Sequence, residues 1–168
     1  MTAASSIVIA DASVLINLIH VERLDLLGAL AGYTFRVPDV VVADEVTYPA
    51  HRDALRRALE AGCVADDACE APGELTLYSD LKQTIDKGEA ACLAIGHVRG
   101  WIVACDERGR FSREARRLLG DGRVLNTPGL LLMAIRQDLL TVVEADQAKD
   151  VLESRRFLMR FRSFRDLL

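Results

Sequence analysis

IVIADASVLINL, residues 7–18, decides the fold. Residues 7–10 are uniformly apolar and mostly β-branched, the composition of a strand buried on both faces. Asp11 follows at once, and from residue 14 to about 31 apolar side chains recur at helical spacing, with a break near residues 20–22. A strand running straight into a helix is the first half of a βαβ unit. The same event recurs at residues 101–105, WIVAC, which end in Asp106 and lead to a basic helix over residues 113–119.

Working outward, residues 34–37 read as a second strand. Pro38 suits the first turn of a helix running through VVVADEV to about residue 46, which Pro49 ends. Residues 51–61 are amphipathic and stop at Gly62. Residues 63–65 give a short third strand, Pro72-Gly73 a turn, and residues 74–85 a polar helix. Lys87-Gly88 interrupts before an apolar helix over residues 89–98. Residues 123–125 are a last short strand, Pro128 opens another apolar helix, and residues 141–154 are amphipathic. Alternating strands and helices predict an α/β fold, a three-layer α/β/α sandwich on a central, mainly parallel sheet of about five strands. The 168 residues suit a single domain, with residues 141–168 as a helical and basic C-terminal extension.

A net charge of −4 advertises no general nucleic-acid affinity. It does not exclude a nuclease either, because cations held by carboxylates change the local sign. Cys63, Cys69, Cys92 and Cys105 form no C-x-x-C pair. Cys92 and Cys105 sit in apolar runs and read as core residues, whereas Cys63 and Cys69 would pair only in an oxidising compartment. Residues 1–20 have no basic leader, and no run reaches membrane-spanning length, so a cytoplasmic location is expected.

Asp11 and Asp106 end the two strongest strands. Open α/β sheets bind ligands beyond the carboxyl ends of strands, where strand order reverses. The spacing permits the order 3-2-1-4-5, which would turn both aspartates into one crevice. Each aspartate alone would serve equally well as a helix cap or turn residue. Glu45 shares a helical face with Val41 and Val42, where a carboxylate is costly unless paired or metal-bound. Asp44 beside it competes for the same role. Glu89 opens EAACLAI, and Asp86-x-x-Glu89 also reads as a capping box. Carboxylates gathered in one cleft raise each other's pKa, and a divalent cation removes that penalty. All-oxygen ligands suit Mg²⁺ or Mn²⁺, and such ions promote phosphodiester hydrolysis.

Five stretches in order, IVIADASVLINL (7–18), VPDVVVADEV (37–46), DKGEAACLAIG (86–96), IVACDERGR (102–110) and NTPGLLLMAI (126–135), resemble the PIN-domain nucleases, which include VapC-type toxins. The resemblance implies Asp11, Glu45, Glu89 and Asp106 as the catalytic acids, with Asp11, Asp106 and Glu89 on the metal. It implies Ser13 as a polar support, with Asn126 and Thr127 as a weaker match to a polar pair. It further implies a metal-dependent endoribonuclease acting on single-stranded RNA, plausible as a toxin, with a small antitoxin protein and a homodimer as partners. Arg108, Arg110 and Arg113 read as a phosphate-contacting rim, or equally as a solvated face shared with Arg116 and Arg117. The tail alternates Arg155, Arg156, Arg160, Arg162 and Arg165 with Phe157, Phe161 and Phe164, a pattern read first as core packing and second as base stacking. His20, His51 and His97 share no spacing, and His97 reads as structural.

Two rival classes fit less well. A phosphatase with Asp11 as nucleophile expects D-x-D, and Ser13 holds the third position; a dinucleotide fold expects G-x-G-x-x-G after the first strand, which is absent. A catalytically silent PIN-like domain that only binds RNA or protein has no need of four gathered carboxylates.

Overall fold

The structure, a computed structural model, describes residues 4–168. Five parallel strands form one sheet among them: β1 (Ser6–Ala10), β2 (Tyr33–Pro38), β3 (Ala65–Asp67), β4 (Ile102–Ala104) and β5 (Val124–Leu125), in the order β3-β2-β1-β4-β5. Side chains alternate across β1. Val8 and Ala10 join the core made with α1 (Ala12–His20), α2 (Leu26–Ala29), α3 (Pro49–Glu60), α7 (Thr127–Arg136) and α8 (Val142–Ser154). Ile9 joins the opposite core, made with α4 (Pro72–Leu81), α5 (Lys87–Arg99) and α6 (Arg110–Leu119). Neighbouring β4 alternates likewise, with Ala104 in the first core and Val103 in the second. Helices on both faces of an all-parallel sheet make the three-layer α/β/α architecture.

The chain leaves β1 through α1 toward one face and leaves β4 through α6 toward the other. Strand order therefore reverses between β1 and β4, and a crevice opens beyond their carboxyl ends. The break expected near residues 20–22 is real: α1 stops at His20, and Glu22 takes φ 56°.

Prolines and short elements depart from the sequence reading. Pro38 is the last residue of β2, and helical backbone begins directly after it at Asp39 and runs to Glu45, so the expected helix is present but ends in a π turn, Val41–Glu45, closed by the Val46 N–H on the Val41 carbonyl at 3.0 Å. Pro49 and Pro72 start α3 and α4 in their first turns, where the missing N–H costs nothing. Lys87 and Gly88 lie inside α5 rather than before it. The third strand falls two residues later than expected.

All four cysteines are free, with Cys92 and Cys105 buried. The tail packs on the core without forming a strand: Phe164 is fully buried in a 3₁₀ turn (Phe164–Leu167), with the Phe161 ring 4.9 Å away. No helix among the described residues is long and apolar enough to cross a membrane.

Candidate active site

Asp11 stands where β1 becomes α1. It caps α1 through Oδ2, which accepts the Ser13 N–H at 3.2 Å and the Ser13 hydroxyl at 2.8 Å. The cap uses one carboxylate oxygen. Oδ1 is buried without any hydrogen-bond partner, in a residue only 3 % exposed. A bare buried carboxylate oxygen is costly, and native structures normally supply it a proton, a water or a cation.

Glu45 closes the π turn, and its Oε1 accepts the Gly88 N–H at 2.6 Å. The extra residue of a π turn shifts the side chains after it around the axis, and such turns recur at functional sites. Gly88 makes the approach possible. A β-carbon there would stand 2.8 Å from Asp11 Oδ1 and would collide with the Glu45 carboxylate. The space a side chain would fill is therefore walled by two carboxylates. Asp44 takes the other direction, exposed and 3.7 Å from the Lys87 ammonium. The fold thus brings Glu45, not Asp44, to Asp11.

Glu89 sits in the first turn of α5, 7 % exposed, and accepts the Asp86 N–H at 3.3 Å. Capping and membership of the acidic group coexist in this residue. Asp106 follows β4 and is held on several sides. Its Oδ1 accepts the Thr127 N–H at 2.7 Å, while Oδ2 accepts the Thr127 hydroxyl and the Asn17 amide, the latter at 2.8 Å. Ser13 joins the two aspartates, because its hydroxyl oxygen also accepts the Asp106 N–H at 3.1 Å.

Burial raises the carboxyls of the group, and charge crowding adds to the rise. Burial, then the Asp11 charge, pushes the Glu89 carboxyl up to about 7. Burial raises Glu45 against the lowering effect of the Gly88 N–H, and Asp11 and Asp86 add to the rise. Asp106 is raised by burial despite the hydrogen bonds from Thr127 and Asn17. Glu107 is raised by burial and by Asp11. Raised carboxyls around an unpartnered Asp11 oxygen are what a cation-binding cleft shows when no cation is counted. The oxygen-only donors fit a hard divalent ion. As the side chains stand, no three acids, histidines or cysteines among the described residues are close enough together to hold one. Asp11 and Glu45 form the tight pair, with Glu89 and Asp106 flanking it.

Other expected residues divide. Thr127 joins the site through Asp106, whereas Asn126 caps α7, accepting the Gly129 N–H at 2.9 Å, and lines the smaller cavity beside Asp106 without bonding to it. Arg108 lines two cavities beside Asp106, of about 440 and 660 Å³, whereas Arg110 and Arg113 line neither. Arg116 and Arg117 pair with Asp121 and Glu114. His97 contacts the Leu118 carbonyl at 2.8 Å. A cavity of about 890 Å³ lies elsewhere, between the end of α1 and α3, and contains none of the four acids. There the fold brings His20 and His51 rings to 5.1 Å.

Sequence reasoning missed Asn17 and Glu107. Asn17 carried a signal, as the lone polar residue in VLINLI and one helical turn after Ser13. Glu107 carried none of its own beyond following Asp106. None of the curated proteins matches the chain. A family model, DUF3368, described as a PIN domain, matches residues 7–165. With its parallel sheet and its acids at the β1/β4 crevice, the chain belongs to the PIN-domain family, a family of nuclease-type fold that typically uses divalent metals.

Proposed function

We propose that this protein is a Mg²⁺- or Mn²⁺-dependent endoribonuclease that hydrolyses phosphodiester bonds of single-stranded RNA. The observation that carries this reading is the bare, buried Asp11 Oδ1 facing Glu45 across the gap at Gly88. Asp11, Glu89 and Asp106 would hold the ion, with Glu45 completing the acidic set. A divalent ion bound there supplies Lewis acidity, making water a better nucleophile and offsetting charge on the phosphoryl oxygens. Asp11 is held by its helix cap, and Asp106 by Thr127 and Asn17, so both carboxylates are restricted before binding, and closing the acidic set on an ion requires side-chain movement. Ser13 couples the two positions. Glu89, buried in the first turn of α5, would complete the ion's shell or orient water beside it.

The test is cleavage of a mixed single-stranded RNA pool. Turnover should require Mg²⁺ or Mn²⁺ and vanish with EDTA, and Asp11→Asn should lower the rate by at least about 100-fold. Turnover indifferent to EDTA and to Asp11→Asn would sink the assignment. One observation favours a second reading, a PIN-like domain that binds RNA without cutting it: no three acids are gathered tightly enough for an ion as they stand. Full RNA affinity with no turnover across Mg²⁺ and Mn²⁺ would select that reading. Resemblance to VapC-type toxins supports a finer proposal, the toxin of a toxin–antitoxin pair; induced expression would then arrest growth, and expression of the Asp11→Asn variant would not.

A further inference from the structure

The nuclease reading leaves the C-terminal segment after α8 without a role, yet this segment faces the acids. The two cavities beside Asp106 share one wall, which includes Asp106, Glu107 and Arg108, and an opposite wall that includes Phe157, Leu158 and Arg160. Arg155 and Arg156 extend that opposite wall in the larger cavity, which also reaches Ser13 and Asn17. Three features set the wall apart from ordinary surface. Arg155, Arg156 and Arg160 are exposed and make no ion pair among the described residues, and unlike the equally unpaired Arg162 and Arg165 they line the cavities beside Asp106. Leu158, between them, is 71 % exposed. The segment is nevertheless firmly placed: Arg156 turns the chain at φ 68°, the Phe157 N–H donates to the Leu152 carbonyl at 3.0 Å, and Met159 is buried.

Unpaired guanidiniums across a groove from a catalytic acid fit a chain of phosphates, and the apolar Phe157–Leu158 step between them offers a face for a base. We propose that residues 155–160 form the second wall of the substrate channel. Arg155, Arg156 and Arg160 would grip phosphates of a single-stranded RNA, and Leu158 would pack against a base and position the strand over Asp106. This inference rests on the nuclease reading for its substrate.

The experiment is binding of a fluorescein-labelled ten-nucleotide single-stranded RNA to the full chain in EDTA, followed by fluorescence polarisation over a salt series. Arg155→Gln/Arg156→Gln/Arg160→Gln should raise Kd about tenfold or more and flatten the slope of log K against log salt by about 2, near 0.7 per lost phosphate contact. Leu158→Ser should raise Kd without changing the slope. Arg162→Gln/Arg165→Gln, on the same tail but outside both cavities, should change neither. In metal-supported cleavage the triple variant should raise KM with kcat nearly unchanged. An unaltered Kd and slope in the triple variant, an equal loss in the Arg162/Arg165 variant, or no measurable RNA binding by the wild type would each overturn the proposal. So would an oligoglutamate peptide retained as well as RNA, which would assign the wall to an acidic protein instead. Failure of the nuclease reading looks different: RNA is bound through the wall, but no metal supports cleavage.

Discussion

Gly88 acts through what it lacks. Its missing β-carbon lets Asp11 and Glu45 approach the same point, so Gly88→Ala should displace one of the two carboxylates. Calorimetric titration should show Mn²⁺ affinity falling by at least about tenfold, the equivalent of 1.4 kcal/mol. Retention of wild-type affinity would mean that the gap is not where the ion sits. Thr127 is the second single-residue lever. Thr127→Val removes the hydroxyl that Asp106 Oδ2 accepts while keeping the shape, and should cost about 1 kcal/mol of stability by chemical denaturation. Its effect on turnover should exceed its effect on RNA binding, because Asp106 loses orientation rather than charge. Of these residues, the two aspartates were legible from strand ends alone. Gly88 was not: in the sequence it read as an interruption before a helix, because nothing local reveals that two distant carboxylates crowd its α-carbon.

Among the elements, α4 and α5 are joined by an ion pair outside the acidic site. Glu74 is 1 % exposed and accepts the Arg99 guanidinium at 2.5 and 3.0 Å, together with the N–H groups of Glu70 and Ala71. Glu74→Gln replaces the buried carboxylate by an amide that cannot satisfy the half-buried Arg99, which keeps Asp67 and the Ala68 carbonyl, and should destabilise by about 1–2 kcal/mol. The Arg99 hydrogen bonds hold the Glu74 carboxyl below its ordinary value of 4.5. A depressed folded value means that the stabilisation is complete above about 4.5 and is lost as pH falls through the folded value. The stability gap between wild type and Glu74→Gln should therefore be constant near neutrality and shrink only in acid. A gap that instead shrinks between pH 6 and 8 would contradict this linkage. The helices and strands themselves were largely legible, since period and composition mark them. Pro128 opens α7 as expected, but Pro49 starts α3 rather than ending the helix before it, because an N1 proline and a terminating proline look alike in sequence; only capping context separates them. The helix expected after Pro38 closes as a π turn, which apolar spacing alone does not distinguish from an α-helical one.

At the scale of the molecule, a group of raised carboxyls makes metal, proton and fold interdependent. Glu89 titrates near 7 in the folded chain against an ordinary 4.5, chiefly through burial. A raised folded value gives stability that is present below about 4.5 and lost as pH rises through about 7. The metal-free protein should therefore melt at lower temperature at pH 8 than at pH 6, and Mg²⁺ or Mn²⁺ should raise the melting temperature more at pH 8. In Asp11→Asn the metal-dependent rise should largely disappear; an undiminished rise would place the ion elsewhere. The sheet order was legible as one permitted arrangement, because apolar runs ending in aspartate single out β1 and β4. The groove formed by residues 155–160 was not, nor was the meeting of His20 with His51, since both depend on how distant segments settle on a common core.

The position of β1 also bears on how the protein is made. β1 leaves the ribosome before the other four strands of its sheet and lies in the middle of it, with β4 on its second edge. At about 5–20 residues per second, that edge waits on the order of ten seconds for residues 102–104. The waiting strand is apolar and unpaired, a hazard that chaperones exist to cover. The Asp11 N–H finds its partner, the Ala104 carbonyl at 2.8 Å, only when β4 docks. The same docking delivers Asp106. A nascent or half-folded chain therefore carries its acids apart, and the acidic crevice is completed in one step with the sheet.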